Sequence, residues 1–132
     1  MDIQNFLRQA RQYMAQNDID GWLMYEFRNR NSIVEDIWGN LSNITRPYWV
    51  WIPVQNEPSI LASLVDQGRF DLFQIECRWF SSRIEMIEKL QQMFLGANRI
   101  SMEYSPDNTL PRISIVDAGT IELIRRLDVD IL

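Results

Sequence analysis

Glu103-Tyr104-Ser105-Pro106-Asp107-Asn108-Thr109-Leu110-Pro111, with Val116-Asp117-Ala118-Gly119-Thr120-Ile121-Glu122-Leu123-Ile124 close behind, is the stretch whose reading decides the fold. Ahead of it, Arg99-Ile100-Ser101-Met102-Glu103 reads as a strand and Ser105-Pro106-Asp107-Asn108 as a turn. Behind it, Val116, Thr120, Leu123, Ile124 and Leu127 form one face of a helix. Asp117 at its start and Arg125-Arg126 at its end suit the helix dipole, and Glu122 stands one turn before Arg126, an ion-pair spacing. Val129-Asp130-Ile131-Leu132 then begins a strand, so strand, turn, helix and strand together make a crossover.

The same alternation runs back to the start of the chain. Asp2 caps a first helix carrying Ile3, Phe6, Leu7, Ala10 and Met14 at helical spacing, ending near Asn17. Trp22-Leu23-Met24-Tyr25 reads as a short buried strand. Ser32 with Glu35 has the spacing of a capping box and opens a helix through Trp38, which Gly39 ends. Tyr48-Trp49-Val50-Trp51-Ile52 is buried on both faces, and Pro53 terminates it. The turn Gln55-Asn56-Glu57-Pro58 returns the chain into Ser59-Ile60-Leu61-Ala62-Ser63 as an antiparallel hairpin. In Gln74-Ile75-Glu76-Cys77-Arg78-Trp79 strict alternation turns Ile75, Cys77 and Trp79 inward and leaves the other face wet. Ser82 with Glu85 is another capping box, opening a helix whose stripe of Met86, Ile87, Leu90, Met93 and Phe94 stops at Gly96. The expected fold class is therefore α/β: one mixed central sheet, with a hairpin in it, flanked by helices on both faces.

Composition narrows the function. The chain has 132 residues, the size of a single domain, and its 46% hydrophobic content with five Trp and six Phe is that of a chain with a packed core. A net charge of -5 and no basic run longer than Arg125-Arg126 argue against nucleic acid as a partner, and no apolar run approaches membrane-spanning length. The single Cys77 excludes an internal disulfide and, with no secretory pattern at Met1-Asp2-Ile3-Gln4, points to the cytoplasm. The absence of histidine removes Ser-His and Cys-His catalysis and imidazole metal ligation from this chain.

Several residues could still carry chemistry. Glu103 with Asp107, or Asp117 with Glu122, are the available carboxylate pairs, but turn and cap roles account for them. Cys77 has no base to activate it and its phase points inward. Trp49 and Trp51 share one strand face, a core arrangement more than a ligand platform. Arg28, Arg30 and Asn31 follow the first strand, where open α/β sheets place ligands, and Arg46 stands at a strand edge where a guanidinium can clamp a carboxylate.

Glu103-Tyr104-Ser105-Pro106, Asn108, Pro111, Ser114 and Val116 through Ile124 closely resemble the N-terminal domain of the creatinase, prolidase and Xaa-Pro aminopeptidase family of pita-bread metallopeptidases. Gly21-Trp22-Leu23 through Phe27-Arg28 and Asn31, then Arg46-Pro47-Tyr48-Trp49-Val50-Trp51-Ile52-Pro53, then Glu57-Pro58 agree in order and spacing. Two departures are Asn29 and Asp128, where glycine is common in the family; the first opens the loop after the first strand to a different backbone path.

The resemblance implies a ribonuclease H-like fold, that of the creatinase N-terminal domain, spanning residues 1–132 as one domain cut from a longer chain. It implies that catalysis belongs to a following pita-bread domain holding two divalent metal ions, Mn, Co or Zn, with no catalytic or metal-binding residue and no cofactor in this one. The implied partners are that domain, further copies of the chain in a homo-oligomer, and proline-containing peptides, at whose active-site entrance this domain stands. Arg46 resembles an arginine that members aim at the substrate carboxylate across the subunit interface; Arg28 and Asn31 are candidates by loop position. Two other functions fit the same resemblance: a binding module of a relative that has lost its metal ligands, and the N-terminal domain of a creatinase-type amidinohydrolase.

Overall fold

The computed structural model describes residues 2–39 and 43–132. In chain order the elements are α1 (Ile3–Gln16), β1 (Gly21–Glu26), α2 (Ser32–Trp38), β2 (Tyr48–Pro53), β3 (Ser59–Ser63), β4 (Glu76–Phe80), α3 (Arg83–Met93), β5 (Arg99–Ser101), α4 (Ala118–Arg125) and β6 (Asp130–Ile131), with short 3-10 turns between several of them. The strands form one sheet in the order β4-β3-β2-β1-β5-β6. β2 pairs antiparallel with both β1 and β3, and the other contacts are parallel, so β2 alone runs against the rest.

The period-two pattern of the strands sorts their side chains into two cores. Met24, Val50, Ile52, Ile60 and Ala62 point to one face, which α1 and α2 cover with Leu7, Met14, Val34, Ile37 and Trp38. Leu23, Trp49, Trp51 and Leu61 point to the other, where α3 and α4 bring Met86, Leu90, Met93, Ile121 and Ile124. Trp49 and Trp51 are buried there, packed on Tyr25 and Phe94 at ring-centroid distances of 4.6 and 5.1 Å. Gly21 is required beneath them: a Cβ at that position would fall 2.1 Å from the Trp51 ring.

Local differences from the sequence reading have physical causes. Asn31, not Ser32, caps α2: its Oδ1 accepts from the Ile33 and Val34 amides, one residue ahead of the expected box. Ser82 does cap α3, but Glu85 reaches back to the Ser81 amide at 2.6 Å and not to Ser82 itself. The strand expected over 99–103 ends at Ser101, and α4 starts after Asp117, with Ile121 buried on the face assigned to its neighbours. β4 begins only at Glu76, since Gln74 takes a left-handed conformation, and Ile75, Cys77 and Trp79 are half-buried because β4 is an edge strand. No Glu122–Arg126 ion pair forms among the described residues; the ion pairs there are Arg69–Asp66 and Arg78–Glu76.

Candidate functional site

Because β2 opposes its neighbours, the end of the sheet where β1, β3, β4 and β5 finish is also where β2 starts. Three connections meet at this end: the loop 27–31 after β1, the corner Thr45–Pro47 before β2 with the turn Leu64–Asp66 behind it, and the segment 104–117 after β5. Arg28, Arg30 and Arg46, all exposed, stand on the first two.

The 27–31 loop turns through left-handed residues at Arg28 (φ 56°) and Asn29 (φ 58°). Glycine favours that region and asparagine tolerates it, so Asn29 holds a glycine-like conformation; Asp128, the other departure from the family pattern, does the same at φ 62°. Two buried carboxylates hold the loop. Glu26, the last residue of β1, accepts the Asn31 amide on Oε1 at 2.9 Å and the Asn29 amide on Oε2 at 3.1 Å. Glu103, arriving from beyond β5, accepts Trp22 Nε1–H on Oε2 at 2.7 Å; its Oε1 takes Asn31 Nδ2–H at 2.5 Å and the Tyr25 amide at 3.4 Å. Asn31 also donates Nδ2–H to the Tyr25 carbonyl at 2.9 Å. At 3% exposure its side chain is fully committed to this network and to the α2 cap, so Asn31 supports the loop from inside.

Burial pushes the Glu103 carboxyl up to about 7, against the opposing pull of the Trp22, Asn31 and Tyr25 hydrogen bonds. Above the loop, Arg28 lies over the Phe27 ring at 5.0 Å, and Arg30 lines a cleft of about 360 Å³ with Tyr25, Phe27, Asn31, Ile115 and Asp117. Asp117 is occupied in capping α4, its Oδ2 accepting the Thr120 amide at 3.0 Å and its Oδ1 the Thr120 hydroxyl at 2.6 Å.

The Arg46 corner is built differently. Asp66, with no exposure, accepts the Thr45 amide and hydroxyl at 3.1 and 2.8 Å on Oδ1 and the Arg46 amide at 3.1 Å on Oδ2, and Arg69 pairs with it at 3.0 Å. Burial raises its pKa, but the Thr45 and Arg46 hydrogen bonds and the Arg69 charge outweigh it and hold the carboxyl below its usual range. The Arg46 guanidinium is left facing outward, with one bond from Nη1 to the Thr45 hydroxyl at 3.3 Å.

The sheet end therefore gathers Arg28, Arg30 and Arg46 on one rim. Glu26, Glu103 and Asp66 went unrecognised as their supports. Glu26 left a faint signal, a carboxylate closing the apolar run 22–25, whereas the side-chain partners of Glu103, and the Thr45 and Arg46 groups that Asp66 holds, lie 20 or more residues away in sequence. Glu103 and Asp107 do not act as a pair, since Glu103 points into the network and Asp107 lies exposed in a 3-10 turn. Cys77 is half-buried and its thiol is pushed up by burial, the reverse of an activated nucleophile. Glu26, Glu103 and Asp117 at this end accept hydrogen bonds from their own chain, and no three His, Cys, Asp or Glu groups converge among the described residues. The chemistry on offer is recognition of an anionic group by guanidinium.

Compared by sequence, the chain matches no family model and no curated protein. Compared by structure, it has the fold of creatinase/prolidase N-terminal domains. The N-terminal domain of an X-Pro dipeptidase from Streptococcus pyogenes superposes with a TM-score of 0.68 at 11% identity, covering 97% of this chain and 92% of that one. The X-Pro aminopeptidase of Thermotoga maritima gives 0.69 at 13% identity over 96% of this chain and 32% of that one. The prolidase of Pyrococcus horikoshii gives 0.62 at 16% identity over 95% of this chain and 30% of that one. The chain thus spans about a third of the whole enzymes it matches. No helix among the described residues is long and apolar enough to cross a membrane.

Proposed function

We propose that this chain is the non-catalytic N-terminal domain of a metal-dependent Xaa-Pro peptidase of the reducing cytoplasm, and that its arginine-bearing sheet end works in trans. The observation that supports this reading is the likeness in fold to the N-terminal domain of an X-Pro dipeptidase, which extends over 97% of this chain and 92% of that one. The pair of Mn, Co or Zn ions belongs to a following domain, where it activates the water that attacks the peptide bond. In a homo-oligomer, the rim carrying Arg28 and Arg46 lies at the mouth of a neighbouring subunit's active site. Arg46 clamps the substrate carboxylate there, its backbone fixed by Asp66 so that only the side chain must order. Asn31 contributes through the loop it holds.

The direct test is hydrolysis of a Xaa-Pro dipeptide and a Xaa-Pro tripeptide by the purified 132-residue chain with Mn or Co added. No turnover above metal alone is expected, and turnover that follows the chain through purification would overturn the proposal.

A further inference from the structure

Glu103 meets donors only. Trp22 Nε1–H faces one oxygen; Asn31 Nδ2–H and the Tyr25 amide face the other. The orientation of the Asn31 amide is forced, because its oxygen must take the Ile33 and Val34 amides that begin α2. Its nitrogen is therefore always the group presented to Glu103. Ionised, the carboxylate satisfies all three donors. Protonated, it retains a carbonyl for Asn31, but its hydroxyl hydrogen finds no acceptor where Trp22 stands 2.7 Å away.

We propose that Glu103 is a proton-operated positioning residue for the 27–31 loop: as a carboxylate it clamps Asn31 and Trp22, and on protonation it lets Trp22 go and loosens Asn31. The clamp extends in two directions. Through Asn31 it reaches the Glu26 carboxylate, which binds the Asn29 and Asn31 amides and so sets the turn that exposes Arg28 and Arg30. Through Trp22 it reaches a groove of about 360 Å³ between α1 and the sheet, walled by Phe6, Tyr13, Met14 and Ile19.

The charged groups about the intervening Tyr25 are Glu26 on β1, Arg30 on the loop and Asp117 ahead of α4. Glu103 itself responds first to burial and then to its hydrogen bonds, and burial places its proton exchange at about 7, where modest acidification changes its state. The use of this device at a working site rests on the proposed function; the proton dependence itself does not.

The experiment is a nitrogen-proton NMR titration of the 132-residue chain from pH 5.5 to 8.5, with the Trp22 indole assigned through Trp22→Phe. The Trp22 indole and the Asn31 side-chain amide should move together with one midpoint near 7. After correction for intrinsic exchange, the Asn29 and Asn31 backbone amides should exchange about fivefold faster in acid, because release of the Asn31 side chain by Glu103 loosens the turn that these amides close on Glu26. Glu103→Gln should freeze the indole at one position across the range. Should that variant not fold, the carbon-13 carboxyl shift of wild-type Glu103 gives the same midpoint. Indole and Asn31 resonances that stay fixed through the range, or that follow a different group's midpoint, overturn the proposal whether or not the chain belongs to a peptidase.

Discussion

Two loops at one end of the sheet each expose an arginine, and each is fixed by buried carboxylate, yet the supports are of opposite electrostatic character. At the Arg46 corner, burial of Asp66 is outweighed by the Thr45 and Arg46 hydrogen bonds, with a smaller contribution from Arg69, whose side chain is 40% exposed, and the Asp66 pKa falls. At the Arg28 loop, burial of Glu103 outweighs its Trp22, Asn31 and Tyr25 hydrogen bonds, and its pKa rises. The first corner is thus held rigidly at any ordinary pH, and the second is held by a group that can change its charge.

Three perturbations should separate the two supports. The largest effect belongs to Glu103→Ala, which leaves Trp22 Nε1–H and Asn31 Nδ2–H without their acceptor and opens a void; about 4 kcal/mol should be lost in urea unfolding. Next comes pH. A folded-state pKa of about 7, above the ordinary glutamate value of 4.5, means that the stability linked to Glu103 is fully present below 4.5 and is lost as pH rises through 7. That loss is on the order of 3 kcal/mol, and Glu103→Gln should remove the slope. Asp66 has the reverse sign: its contribution is present above 3.8 and is lost only as acid protonates the folded state. The smallest effect is that of Asp66→Ala, about 2 kcal/mol, because Arg69 and the Thr45 and Arg46 amides lie near enough to the surface to turn to water. The local and global readings of Glu103 differ in sign for a reason. The loop responds to charge-assisted bonds that ionisation strengthens, while unfolding responds to the burial of the charge.

Most of the scaffold was legible because its signals are local. Alternation in Tyr48-Trp49-Val50-Trp51-Ile52 put the right residues on each face of β2, and the Asp2, Ser82 and Asp117 caps fell where the sequence placed them. The Arg28 and Arg46 loops were legible as positions at a strand end. What holds them was not, since the Glu103 clamp joins residues 72 to 81 apart and Asp66 reaches back 20 or 21. Asn31 shows the limit of local reading: Ser32 and Glu35 have the spacing of a capping box, yet Asn31, a candidate by loop position, is the residue that caps α2. Three-residue spacing identifies a possible cap, but Asn31 both caps α2 and donates to Glu103, a partner 72 residues away in sequence.

The proposed role of Arg46, holding substrate from a fixed corner, is tested by one kinetic comparison. In the intact enzyme, Arg46→Ala should lower kcat/KM for a Xaa-Pro dipeptide by ~10–100-fold, the loss of one charge-assisted carboxylate contact, with thermal stability unchanged because the Asp66 bond uses the Arg46 backbone. An unchanged kcat/KM in a folded Arg46→Ala enzyme would contradict the account.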